Sequence, residues 1–145
     1  MEIQLYKTYA YGPRKNNGAN YHIIPEIKAL WAEWFGYPTE EEYKSIILQS
    51  LEIAKEKSLE YWIADARKLE LISESANRWT ITEGLFTGAQ YGIKRLALIL
   101  PGDYYLAQFL VEDVDQGLSN QIKTININMQ IKYFRNLEDA LEWRS

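Results

Sequence analysis

The residues best placed for chemistry sit close together in the middle of the chain. Tyr61–Ala66 reads YWIADA, an apolar run interrupted by Asp65 and followed at once by Arg67, and a serine-rich segment, Ser73-Glu74-Ser75, comes shortly afterwards. A carboxylate and a guanidinium at the carboxyl end of a strand can meet a ligand, because open α/β sheets place ligands there. They can equally form an ion pair at the sheet rim. A serine ahead of a helix has two uses as well. Its hydroxyl can accept a phosphoryl group from a kinase, or it can accept a hydrogen bond from a helix N–H and cap the helix. Ser73 and Ser75 are the candidates for either role.

Other chemistries find less support. His22 is the single histidine and there is no cysteine, so a thiolate zinc site, a disulfide, a cysteine nucleophile and a serine-type triad lack their parts. His22 itself is expected near solvent at the start of a strand. No G-x-x-x-x-G-K-[ST] or strand-linked G-x-G-x-x-G run is present. Gly12–Gly18, with Arg14 and Lys15, reads as a hairpin loop rather than an anion cradle, since it joins two strands. Asp113-Val-Asp115-Gln-Gly117 fails as a calcium loop, because the glycine falls one position early and Thr124 stands where a bidentate glutamate belongs. Acid–base chemistry on carboxylates alone would need Asp65 to meet Glu33 or Asp103. The expectation is therefore a protein that is not an enzyme and carries no cofactor or metal.

Composition sets the setting for these residues. With 145 residues, 47% hydrophobic and 25% charged, the chain is expected to form one domain with a single core. Its net charge of −4 argues against a nucleic-acid surface. Leu96–Pro101 is the longest apolar run and is far shorter than the roughly 20 residues that span a bilayer. The N-terminal residues lack the pattern of a signal peptide, so a cytoplasmic location is expected. Five tryptophans and eleven tyrosines promise large plates in the core. The tryptophans and Tyr104–Tyr105 are also candidates to line a pocket.

The elements that must position these groups follow from periodicity. Residues 2–10 alternate as a half-buried strand. An Asn17-Gly18 turn leads to a second strand over 21–35, broken or bulged at Pro25, with Ile27, Ala29, Trp31 and Glu33 on one face and Lys28, Leu30, Ala32 and Trp34 on the other. Thr39 and Glu42 form a capping box ahead of a helix that buries Tyr43, Ile46, Ile47, Leu51 and Ala54. Residues 60–66 read as a strand and 73–90 as a helix loosened by Gly84 and Gly88. Residues 94–100 read as a central parallel strand, and 103–121 as a helix ended by Gly117. Residues 123–134 read as a strand with Ile125 and Ile127 in phase, unless a loop near 126–130 shortens it to QIKYF. A last helix is capped by Asn136. The fold class is α/β: a small mixed sheet, mostly parallel with an antiparallel N-terminal edge, covered by about four helices in the order β-β-α-β-α-β-α-β-α.

Three segments, WAEWFGYPTEEEYKSIILQSLEIAKEKSLEYWIADARKLELISESANRW, KRLALILP and IKYFRNLEDALEW, resemble SpoIIAA-like, or STAS-like, proteins, an uncharacterised bacterial group best represented in Bacteroidetes. The resemblance covers about residues 25–145. It is carried by Trp34-Phe35-Gly36, by Ile63 to Arg67, by Trp79, by Tyr133-Phe134 and by Ala140 to Trp143. It implies the sheet just described, as in anti-sigma-factor antagonists, in which a serine following the central strand is phosphorylated by a partner kinase. The resemblance places Ser75 at or beside that position. Ser73 stands where the antagonists have an acidic residue, Glu74 intrudes, and Ala76 replaces a glycine. The implied function is a regulatory or binding module that acts through an unidentified protein partner or small ligand, with Asp65 and Arg67 on the binding surface. Related folds also include CRAL-TRIO lipid carriers, so a hydrophobic-ligand carrier is the second expectation. Homodimerisation through the N-terminal edge strand or an exposed aromatic face fits the same pattern.

Overall fold

The computed structural model describes the backbone of residues 1–125 and 128–144, and the side chains of those residues except 113 and 116–125. Six strands form one sheet in chain order, β1 (Gln4–Tyr11), β2 (Asn17–Ile24), β3 (Ala29–Gly36), β4 (Tyr61–Leu69), β5 (Arg95–Ile99) and β6 (Gln130–Phe134). The pairs β1–β2 and β2–β3 are antiparallel, whereas β3 to β6 run parallel. The sheet is thus the mixed, mostly parallel α/β sheet that the sequence leads one to expect, with one more strand at its N-terminal edge.

That extra strand comes from Pro25. The ribbon expected over 21–35 is a hairpin of β2 and β3, folded at a 3-10 turn, Pro25–Ile27. Proline fixes its own φ and offers no N–H, which suits the first position of such a turn. Lys28 then takes a left-handed conformation, φ 50°, and its N–H returns to the Pro25 carbonyl at 3.1 Å. Asn17-Gly18 is not the preceding turn. The chain reverses earlier, where Lys15 N–H donates to the Gly12 carbonyl at 3.0 Å, and Asn17 and Gly18 already belong to β2.

Three helical links join the parallel strands: α1 (Glu40–Glu56), the run α2 (Glu74–Trp79) to α3 (Leu85–Gln90), and α4 (Tyr104–Ile125). The strands follow one another without reversal, so right-handed crossovers bring every link to the same face. There Ile46, Ile47, Leu51, Ile81, Leu85, Leu106 and Leu110 pack on Leu30, Trp34, Trp62 and Leu96 from the sheet. The Thr39–Glu42 capping box starts α1 as expected, with Glu42 N–H 3.2 Å from Thr39 Oγ1 and Thr39 N–H 2.8 Å from Glu42 Oε1. A π-helical turn, Thr80–Gly84, separates α2 from α3. Thr80 and Thr82 hydroxyls donate to carbonyls three or four residues earlier, which loosens the helical ladder. Gly117 does not stop α4, which continues to Ile125, so the segment from Lys123 to Ile125 is helix and the last strand is only QIKYF. The expected in-phase position Ile127 lies outside the described residues.

The opposite face carries a smaller core of Ile24, Ala29, Tyr61, Ile63, Ala97, Ile99 and Phe134, covered by α5 (Leu137–Glu142) through Leu137, Ala140 and Leu141. Tyr61 donates its hydroxyl to the Ala140 carbonyl at 2.6 Å. The Arg95 guanidinium lies 4.1 Å from the Tyr61 ring centre and 5.3 Å from that of Trp143, and it donates to the Trp143 carbonyl. Stacked, desolvated cations of this kind are worth about 1–2 kcal/mol each.

Gly36 ends β3 at φ 71°, a conformation that glycine adopts without cost. A Cβ there would overlap the Asn16 carbonyl oxygen and the Asn17 side chain. Gly36→Ala is therefore expected to destabilise the fold by about 2–3 kcal/mol, measured by urea unfolding, with the larger share from the overlap. An unfolding midpoint unchanged from that of the parent would contradict this account.

Candidate functional site

Asp65 and Arg67 stand at an irregularity in β4. The parallel register runs Glu33 to Asp65 but then Phe35 to Lys68, so β4 holds one residue more than β3 between these points. Such a bulge re-aims side chains. Here it turns Arg67 back onto Asp65. Asp65 Oδ1 accepts from the Arg67 N–H at 3.1 Å and Nε at 2.9 Å, and Oδ2 accepts from Arg67 Nη2 at 2.7 Å and Trp31 Nε1 at 3.1 Å. Four donors occupy the four lone-pair positions of a carboxylate. The side chain of Asp65 is 1% exposed and that of Arg67 38%. The hydrogen bonds that Arg67 donates to Asp65 raise the Arg67 pKa above its ordinary value, against a smaller opposing effect of burial. An aspartate engaged in this way anchors a cation, with all four of its acceptor positions occupied.

Around this pair, β1 to β4 carry a polar and aromatic patch on the face away from α1 to α4. His22 stacks on Trp31, with ring centres 4.2 Å apart and planes 24° from parallel. Its Nε2 lies 3.5 Å from Glu33 Oε1 without forming a hydrogen bond. Because β2 begins at Asn17, His22 lies within the strand, half-buried, rather than at a solvent-facing strand start. Lys68 Nζ reaches Glu33 Oε2 at 3.2 Å, and Thr8 donates to Asn20 at 2.8 Å. Glu33 and Asp65 are register neighbours, whereas Asp103 is used elsewhere, its Oδ1 accepting from Leu106 N–H at the start of α4. Among the described residues no group of His, Asp and Glu could hold a metal ion.

The two serines have separate partners. Ser73 is the N-cap of α2, with Ala76 N–H 3.1 Å from its Oγ. Ser75 donates to Glu40 Oε1 at 2.5 Å and so ties the first turn of α2 to the first turn of α1. Lys44 also approaches Glu40, at 3.4 Å. The Ser75 hydrogen bond is the largest of the effects that lower the Glu40 pKa.

A third feature lies beneath the helices. Trp34, Tyr43, Trp62, Ala64, Leu98 and Leu110 are among the residues that line an apolar cavity of about 70 Å³ between the sheet and the helical layer. Ala64 and Leu98 are central positions of interior strands on the covered face, yet both are only partly buried. The side chains at Ala64 and Ala66 are too short to fill the space between Trp62, Leu96 and α4. Burial among these groups pushes the Tyr43 phenol up to about 12. Of the aromatic residues suggested by sequence as pocket-lining, Trp34 and Trp62 do line this cavity, whereas Tyr104 and Tyr105 project from α4 into solvent. Sequence reasoning did not single out Trp31 as a donor to Asp65, Glu40 as the partner of Ser75, or the alanines beneath the cavity. A signal existed for the last of these, since Ala64 and Ala66 share the parity of Trp62 along one strand.

The fold and the site together define a small α/β domain with α1 to α4 on one side of the sheet and, on the other, α5 beside a polar patch. No family model matches the chain, and no curated protein matches it. Among solved structures it is similar to an uncharacterized protein of the DUF3478 family, with a SpoIIAA-like fold, from Shewanella loihica PV-4. The identity is 20% and the TM-score 0.46, over 99% of this chain and 95% of that one. Among the described residues no helix is long and apolar enough to cross a membrane.

Arg67→Ala would leave the buried Asp65 with only Trp31 Nε1 and one backbone N–H. We expect a loss of about 2 kcal/mol in urea unfolding, set toward the low end because Arg67 is partly solvated, and a smaller loss for Arg67→Lys. Equal effects of the two substitutions would show that the two-pronged hydrogen bonding contributes nothing. Glu40 gives a pH-dependent test. Its folded pKa is depressed, so its contribution to stability is present above its unfolded pKa and is lost as pH falls through the folded one. Ser75→Ala is expected to move the Glu40 midpoint up in an NMR titration of its carboxyl carbon. An unmoved midpoint would rule out the Ser75 contact in solution.

Proposed function

We propose that this chain is a non-enzymatic binding module for a small apolar molecule, held in the cavity between the sheet and the helical layer. The cavity itself carries this reading. Its walls are almost wholly carbon, and interior positions such as Ala64 and Leu98 keep surface that a well-packed core would cover. Dry apolar cavities retain small apolar guests, and a space of about 70 Å³ has room for one the size of a xenon atom. The π-helical turn Thr80–Gly84 forms part of the same wall through Thr80 and Ile81, at the kind of helical irregularity that recurs at functional sites. The saturated carboxylate at Asp65 supports binding over acid–base catalysis, and Arg67 and Lys68 offer a charged surface to a partner.

Volume separates this reading from a lipid carrier. A lipid-sized guest needs a cavity of about 300 Å³ or more, and the space here is about 70 Å³. A phosphoserine switch finds less support than a structural role. A phosphate on Ser75 would stand against the carboxylate of Glu40 and beside Glu74, and Ser73 Oγ is engaged as a cap.

Xenon titration followed by two-dimensional NMR is expected to give saturable shifts centred on the Trp34 and Trp62 indoles. Ala64→Leu, which fills the space, should weaken those shifts at least about tenfold while keeping or raising stability. Organic extracts of the protein purified from its native host should contain a small apolar compound near one-to-one stoichiometry, absent from the Ala64→Leu variant. Shifts that are absent, or that persist unchanged in the variant, would overturn the proposal.

A further inference from the structure

Trp62 brings to the cavity wall a donor that the chain leaves unmatched. The residue is 5% exposed, and its indole N–H is sealed from solvent with no acceptor in hydrogen-bond reach among the described residues. Its register neighbours on β3 and β5 are Leu30 and Leu96, whose side chains offer none. An indole nitrogen only donates, and one acceptor satisfies it. Buried without that acceptor, it forfeits the bond it makes to water in the unfolded chain. A phenylalanine would give β4 the same kind of apolar plate without that cost.

Other polar groups in the wall are engaged. The Thr80 hydroxyl donates to the Ala76 carbonyl at 2.9 Å, the Tyr43 phenol is hydrogen-bonded to Thr80, and Asn77 has an interaction of its own. Of the buried side-chain polar atoms without a partner among the described residues, only Trp62 Nε1 belongs to a residue of this wall. The space that Trp62 borders is open because Ala64 and Ala66, which face the same core, are short. A lone water there would need two or more polar partners, and the unmatched N–H is one.

Taking the cavity as the binding site proposed for this chain, we infer that its guest carries a hydrogen-bond acceptor, an ether or carbonyl oxygen that accepts from Trp62 Nε1. The occupant is then a small ketone, aldehyde or ether rather than a hydrocarbon. A space of about 70 Å³, a little over twice the roughly 30 Å³ that a water takes in the liquid, limits it to a few non-hydrogen atoms.

The intact chain is titrated with dimethyl ether, with propane and with xenon. Ether and propane match in shape and differ by an oxygen in place of a methylene. In proton–nitrogen correlation spectra the Trp62 indole N–H is expected to move downfield and exchange more slowly with ether, but not with propane. Trp62→Phe removes the donor, so the ratio of ether to propane affinity should fall about fivefold, the effect of one neutral hydrogen bond. The ratio cancels any change in cavity size common to the two guests. The resonance test needs no variant, so it stands even where Trp62→Phe does not fold. Propane and xenon bound with no downfield shift from ether, or an unchanged ratio in the variant, would overturn the acceptor and leave the cavity site standing. Failure of all three probes to bind would overturn both. A water–indole Overhauser effect at Trp62 in the guest-free protein would show a structural water as the partner and overturn the inference.

Discussion

The handedness of the β-α-β crossover governs this molecule. Strands β3 to β6 follow in unbroken order, so three right-handed links must share one face, and the sheet acquires a thick side and a thin one. The thick side holds the main core and the cavity within it. The thin side keeps only α5, which reaches the strands from β4 to β6 and leaves β1 to β3 to protect their own surface. The polar patch at Asp65, Trp31, His22 and Glu33 is how they do so. Aromatic stacking of His22 on Trp31 and the hydrogen bonds to Asp65 take the place of a covering helix.

Much of this was legible in the residues. The capping box at Thr39, the apolar stripe of α1, the apolar run Leu96–Ile99 of β5 and the Asn136 cap are local signals that tertiary contacts left intact. Pro25 was visible as an interruption, but whether it bulges a strand or folds one back depends on the left-handed conformation of Lys28. A lysine does not advertise that state as a glycine would. Gly117 misled because a glycine within a long helix costs only about 1 kcal/mol, which the packing of α4 on the sheet exceeds. Asn17-Gly18 misled for a related reason. The turn that closes the hairpin is set by Gly12 and Lys15, and Gly18 is needed instead for close approach to the backbone of Tyr9.

The candidate site was legible in part. Asp65 and Arg67 stood out by charge in an apolar run, and the sequence left open whether they face a ligand or each other. The bulge in β4 decides the geometry, and a bulge is a property of two strands in register, not of one strand read alone. Trp31 and Glu40 are tied to Asp65 and Ser75 across more than thirty residues of chain. Contacts of that range follow from the sheet order and are invisible to local periodicity. The two serines show how close alternatives can lie, with one engaged by a backbone N–H and the other by a carboxylate.

The cation over Tyr61 and beside Trp143 has a consequence for the order of assembly. A ribosome delivers β1 to β5 before it delivers α5, so the apolar strip of Ile24, Ile63, Ala97 and Ile99 stays wet until the Leu137–Trp143 stretch emerges. The Arg95 guanidinium lies over Tyr61, which belongs to the strands made first, and Trp143, which meets the Tyr61 ring edge-on, comes from the last stretch of the chain. The contact that seals this strip therefore joins early and late parts of the sequence.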